Sequence, residues 1–343
     1  MSVKSRVVLS MGLAVALSSS LSVALAEDLV VGIFGGSFAD DSKTCHISEF
    51  EQKTGAKVQL KLGNSAQFAA SVRATGGKSD IDVVYIDNSL ATQLKNEKLL
   101  EKIDRSKLSN AAQVSDRAFD KDDQYVVFMT GATVIVYDKK QVKTPPTSWA
   151  DLAKPEYAGR LAIGDISGTS GMQFLLALNK MHGGTLDNMD PGFEAVKPLA
   201  KASVTLYTQA DQIVSLFERG EIVVAVWYPD RAGSAIDKGL PLGVVYPKEG
   251  AVGILPALVI PKGAKSAALA HQYIDQVLSA KGQECFAEKK YAGPVNTTVK
   301  LSEKAAAIVP YKETFDAMWF PDPDAVAKSV PIWTRRWQRE VAR

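Results

Sequence analysis

The same local pattern recurs along this chain: a short apolar run closes on a glycine-rich or polar loop, and a helix-period pattern follows. Leu29 to Phe34 breaks into Gly35-Gly36-Ser37, Ile81 to Ile86 closes on Asp87-Asn88-Ser89, and Arg160 to Asp165 gives way to Ser167-Gly168-Thr169-Ser170-Gly171. Val204 to Tyr207 and Ile222 to Trp227 continue the series, the latter running into Tyr228-Pro229-Asp230. Repeated strand–helix units of this kind restrict the chain to an α/β fold with largely parallel sheets and helices on both faces. In such folds a ligand sits in a crevice outside the carboxyl ends of the strands, so the loops after the strands are the places to look.

Residues 1–26 read as an export signal, with Lys4 and Arg6 ahead of the apolar stretch Val7 to Leu17 and small residues at Ala24-Leu25-Ala26, which predicts cleavage after Ala26 and a periplasmic location. A net charge of +2, from 40 basic and 38 acidic residues, falls to zero once Lys4 and Arg6 are removed. Nucleic-acid binders display clustered Lys and Arg, and here the basic residues are scattered, with nothing larger than a short run such as Arg335-Arg336, so a nucleic-acid partner is not expected. What remains exceeds the roughly 100–200 residues of one domain. The expected division is a first lobe over 27–135, a second over 136–250, and a return to the first with a helical tail over 251–343. Strands crossing between lobes are expected near Thr133 to Asp138 and Val252 to Ile260. Trp319, Trp333 and Trp337 are expected to fasten the tail to a core. Cys45 and Cys285, the two cysteines, are expected to pair in an oxidising compartment.

The chemistry is defined as much by what is missing. His46, His182 and His271 form no metal-binding spacing, and there is no nucleophile elbow, Walker loop or dinucleotide fingerprint. No metal and no cofactor are expected, and nothing recommends an enzyme. Ser167, Thr169 and Ser170 at a helix start suit an anionic ligand group, and equally suit plain helix capping. Asp87 has the same two readings, as ligand contact or cap.

Gly35-Gly36-Ser37-Phe38, Asp87, Trp227-Tyr228-Pro229-Asp230, Tyr246-Pro247-Lys248-Glu249-Gly250 and Gly293-Pro294-Val295-Asn296 together resemble the periplasmic solute-binding proteins of ABC importers. The similarity lies in the group that includes spermidine/putrescine-binding proteins. It implies the type II periplasmic binding fold, two lobes joined by hinge strands, closing as a monomer on one small solute and presenting it to a membrane permease. It also implies that Trp227 and Asp230 grip an ammonium group, through an aromatic face and a carboxylate. Tyr228-Pro229 departs from the polyamine pattern and leaves Asp230 two directions, into the cleft or over a helix end. Gly36, Ser37, Phe38, Asp87, Ser167, Thr169, Ser170, Trp227, Tyr228, Asp230 and Glu249 are the expected ligand contacts. The expected solute is a small cationic or zwitterionic amine, a polyamine or an amino-acid-like molecule. Ferric iron, an organophosphate or carboxylate, and an exported enzyme using Asp230 and Glu249 as a carboxylate pair are the competing readings.

Overall fold

The computed structural model describes residues 28–311 and 313–342. The export signal and its cleavage site after Ala26 lie outside these residues. In chain order the first lobe begins with β1 (Leu29–Phe34) and α1 (Ser37–Ser42), which passes through a π-helical turn, Lys43–Ile47, into α2 (Ser48–Thr54). It continues with β2 (Val58–Gly63), α3 (Ser65–Ala74), β3 (Val83–Asp87) and α4 (Asn88–Asn96). The chain crosses through β4 (Val126–Val127) and β5 (Met129–Asp138). The second lobe adds β6 (Leu161–Gly164), α5 (Thr169–Met181), α6 (Asp190–Ala202), β7 (Ser203–Tyr207) and α7 (Gln212–Glu218), then β8 (Val224–Trp227), α8 (Pro229–Asp237) and β9 (Leu242–Val245). β10 (Val252–Ile254) and β11 (Pro256–Val259) return to the first lobe, where α9 (Ala267–Leu278) and α10 (Ala280–Lys290) pack. β12 (Gly293–Pro294) crosses once more, followed by α11 (Glu303–Ala306), α12 (Glu313–Asp316) and α13 (Pro323–Glu340).

The sheets are parallel where strand–helix–strand units built them and antiparallel where the chain crosses. β1 runs parallel to β2 and β3, and β6 parallel to β7 and β8. β11 joins β3 and β4 antiparallel, and β5 takes β8, β9, β10 and β12 as antiparallel partners. The reason is topological: a strand that returns to a lobe arrives from the opposite end, so each sheet is mixed rather than wholly parallel.

The first crossing lies earlier than the Thr133-to-Asp138 stretch suggested by sequence. Val134 to Tyr137 pair with β8 deep in the second sheet, while the lobes part at Phe128 to Thr130, where the Phe128 amide donates to the Pro256 carbonyl at 3.1 Å. Period-2 hydrophobicity marks a strand and does not say which sheet holds it. The return crossing does fall within Val252 to Ile260, breaking at Leu255 between β10 and β11.

Cys45 and Cys285 form a disulfide with a Cα separation of 5.5 Å and 240 residues between them. It ties the π-helical turn to α10, and cross-links closing long loops contribute about 2–5 kcal/mol. The tail is fastened as its tryptophans suggested: Trp333 and Trp337 are buried in the core of the second lobe, and the Trp337 indole N–H donates to Asp165 Oδ2 at 2.9 Å. At its other end α13 leans on α4 of the first lobe, with Asn96 donating to Asp324. Arg336 pairs with Asp190 and lies over the Phe193 ring.

Candidate functional site

The end of β3 and the start of α5 meet between the lobes, beside the return crossing and the start of the tail helix. A cavity there is lined by Asp87, Asn88 and Ser89 from the first lobe and by Thr169, Met172 and Gln173 from the second. Gln173 fixes the floor: it accepts from the Thr133 hydroxyl at 2.6 Å and donates to the Gly253 carbonyl at 2.8 Å, locking α5 to both crossing strands.

Asp87 ends β3 and stands as the N-cap residue of α4, yet its side chain makes no cap bond. Instead it turns to Ser65 at the start of α3, whose hydroxyl donates to Asp87 Oδ2 at 3.0 Å. Burial raises the Asp87 carboxyl above the usual range, offset only by that hydroxyl. No lysine or arginine is paired with it among the described residues, so Asp87 is a sequestered carboxylate facing the cleft without a counterion.

Asp230 sits in the first turn of α8, its side chain about one-third exposed (32%), with the Arg231 guanidinium 3.7 Å away. Burial raises its carboxyl as well, opposed by Arg231 and then by Lys290. Tyr228, the N-cap residue of α8, is influenced by both acids. Its hydroxyl accepts the Ser170 amide at 2.8 Å, and burial, Asp230 and Asp87 all raise its pKa. Tyr246 is raised by burial and by Asp230, and donates to the Ile308 carbonyl at 2.8 Å.

The remaining candidates divide sharply. Gly36 and Ser37 are exposed at the cleft edge; Gly36 adopts φ 66°, where a side chain is strained, and its neighbour Ser37 accepts from Lys290 at 2.9 Å. Thr169 lines the cavity, whereas Ser167 is exposed and its amide donates to Asp165. Ser170 is buried and fully used: its hydroxyl accepts from Tyr207 at 2.7 Å, and its amide serves Tyr228. The α5 N-terminus is therefore partly closed to an anion by a tyrosine of the protein itself.

Two candidates, Trp227 and Glu249, are engaged elsewhere in the structure, and a third, Phe38, is half-buried against a core. Phe38 packs edge-on against Phe34, Tyr85, Phe128 and Phe286 in the first-lobe core. Trp227 is completely buried beside Ala132, Ala162, Phe217 and Ala232, with no ring face exposed and its indole N–H unpartnered. β8 is buried on both faces, so its last residue is interior, and the half-buried Tyr228 follows it as the N-cap residue of α8. Glu249 accepts from the Ser148 hydroxyl and from the Trp149 amide at 3.2 Å, capping the 3-10 turn Trp149–Ala153. Glu249→Ala is accordingly expected to lower stability by about 1–3 kcal/mol, the range for a charge-assisted bond, and to leave solute affinity unchanged. Thermal melting and a titration on the same sample check both halves.

Gln173, which lines the cavity, and Ser65, Tyr246 and Lys290, which contact or influence Asp87, Asp230 or Ser37, were absent from the candidate set. Tyr246 lay in a quoted motif, but Lys290, in a Lys-Lys-Tyr run at a helix end, reads as a solvated terminus until α10 is docked. Tyr207 and Tyr228 converge in space although distant in sequence; the Tyr207 hydroxyl is occupied by the Val226 carbonyl and Ser170, and burial raises it far from tyrosinate. No cluster of three or more His, Cys, Asp or Glu able to hold a metal is found among the described residues. A second cavity beside the hinge, lined by Ser115, Arg117, Leu255, Asn296 and Phe315, offers no buried carboxylate. There Arg117 stacks on Phe315 and Phe320.

The chain is 28% identical to spermidine/putrescine-binding periplasmic protein 1 of Haemophilus influenzae, over 86% of this chain and 80% of that protein. It is 25% identical to the thiamine-binding periplasmic protein of Salmonella typhimurium, over 86% and 87%. The crystal structure of an ABC transporter protein from Clostridium perfringens superposes with a TM-score of 0.80 at 27% identity, covering 92% of this chain and all of that one (100%). The profile of bacterial extracellular solute-binding proteins matches residues 78–317. The chain thus belongs to the bacterial extracellular solute-binding protein family.

Proposed function

We propose that this protein is the periplasmic substrate-binding component of an ABC importer, exported by its N-terminal segment, and that its two lobes close on a small cationic or zwitterionic organic amine. The observation that carries this is the presence of two acidic side chains from opposite lobes, Asp87 and Asp230, both disfavoured in their charged form by burial, one with no counterion. A buried carboxylate is stabilised by a charge-assisted bond, and an ammonium group supplies it. Closing the lobes removes water and strengthens each such contact. The named relatives bind polyamines and thiamine, all cationic nitrogen compounds, which supports the same ligand class here.

In this reading the acids bind and do no chemistry, so the solute leaves unchanged. The test is calorimetric titration of unfolded and refolded, ligand-free protein with polyamines, amino acids and phosphorylated organics. Amine-bearing compounds are expected to bind. Binding confined to anions without an amine would reject the assignment, and a chemically altered solute after long incubation would reject the absence of catalysis.

A further inference from the structure

The cavity beside the crossing strands, about 240 Å³ in volume, takes no part in holding the amine. Its walls come from both sides of the hinge. Ala118 belongs to the first lobe, Val127, Leu255 and Pro294 to the three crossings, and Phe315 to the tail segment packed on the core of the second lobe. Apolar surface dominates this lining. An apolar cavity of about 150 Å³ holds benzene, so the space here is that of one aromatic ring with a short arm.

Most polar groups of the lining are spent on the protein itself. The Thr130 hydroxyl donates to the Gly293 carbonyl at 3.3 Å, the Asn296 side-chain amide to the Leu278 carbonyl at 3.0 Å, and the Thr297 hydroxyl to the Gln113 carbonyl at 2.9 Å. Arg117 is different. Its guanidinium stands 5.1 Å from the ring centroids of both Phe315 and Phe320, which holds the charge in place at the cavity wall. No carboxylate is paired with it among the described residues. The preceding Asp116 stands 3.6 Å from Arg105 instead, and Asp316, the acid bordering the cavity, is exposed and beyond ion-pair distance. Stacking on rings occupies the face of a guanidinium and leaves the N–H groups at its edge for a planar acceptor such as a carboxylate. We infer that this cavity is a second ligand site, separate from the interlobe cleft, and that it takes a small carboxylate bearing one apolar ring, with the carboxylate on Arg117 and the ring between Leu255 and Phe315. The assignment goes beyond the amine reading and is independent of it.

The probes are phenylacetate and its neutral isostere phenylacetamide, titrated calorimetrically into wild-type protein, Arg117→Gln and Arg117→Met. The wild type is expected to bind phenylacetate saturably and phenylacetamide at least about tenfold more weakly, the difference one charge-assisted pair makes. In either variant phenylacetate is expected to lose at least about tenfold, with the affinity for phenylacetamide nearly unchanged. The ratio of the two affinities is the readout, because an arginine that merely braced Phe315 and Phe320 would shift both alike. Arg117 is exposed, so its variants are expected to fold, and thermal melting checks each. A crystal structure of the phenylacetate complex is expected to show the carboxylate on Arg117. Wild-type protein that binds no phenylacetate, or binds acid and amide equally, overturns the inference, as do a folded variant with an unchanged ratio and a probe found in the interlobe cleft. None of these outcomes bears on amine binding, which the titrations with amines test separately.

Discussion

Asp87→Asn is expected to weaken binding of an organic amine by roughly 10- to 100-fold, the loss of one charge-assisted hydrogen bond of about 1.5–3 kcal/mol. The empty protein is expected to become no less stable. Asp87 is an uncompensated buried acid whose pKa is raised on folding, so its charged form disfavours the folded state above the ordinary carboxylate range. Replacing it by a neutral isostere removes that penalty and keeps a partner for Ser65. The pH dependence has the same origin: amine affinity should begin to fall at a higher pH than for an ordinary aspartate, as Asp87 takes up a proton. Calorimetric titration at several pH values, with thermal melting of the ligand-free forms, measures each part. An unaltered affinity in a folded variant would remove Asp87 from the site. The corresponding Asp230→Asn loss is expected to be smaller, because Arg231 and Lys290 already share the charge of Asp230.

Acid should destabilise the first lobe through His46. This residue lies in the π-helical turn next to Cys45, completely buried, its ring 5.1 Å from that of Phe286 and neither nitrogen hydrogen-bonded. Burial lowers its pKa from 6.5 to about 3, so the folded protein holds it neutral where the unfolded chain would charge it. The folded state then binds fewer protons: the contribution to stability is complete above about pH 6.5 and is lost progressively as pH falls toward 3. Integrated over that window the loss approaches ~5 kcal/mol. His46→Leu is expected to match or exceed wild-type stability at pH 7 and to keep more of it on acidification. Urea unfolding midpoints at pH 7, 5.5 and 4.5 for both proteins test this, and parallel declines with pH would sink it. The disulfide stays intact in both, so its contribution cancels in the comparison.

Much of this architecture was legible from local pattern. Alternating polarity located the strands, the glycine and hydroxyl loops located their ends, and the only possible cysteine pairing was the one formed. The site was legible in position and not in detail. Ile222 to Trp227 was recognised as a strand leading to the cleft, yet Trp227 points into the core and the half-buried Tyr228 after it bonds the Ser170 amide at the start of α5. Phe38 follows a glycine loop like a ligand contact, but it is half-buried and packs on Phe34 nearby and on Tyr85, Phe128 and Phe286 from distant segments. Glu249 carries a charge in a recognised motif and spends it on a turn about a hundred residues earlier in the chain.

The sequence by itself determined the fold class, the two-lobe plan, the disulfide partners and the anchoring of the tail to a core, because each follows from periodicity, composition or a choice with a single answer. Only the tertiary structure decided which charges face one another. Asp230 and Lys290 come from α8 and α10, and their mutual field exists only once those helices are docked. Electrostatic energy depends on distance and on how completely water is excluded between the charges, and neither quantity is a property of neighbouring residues along a chain.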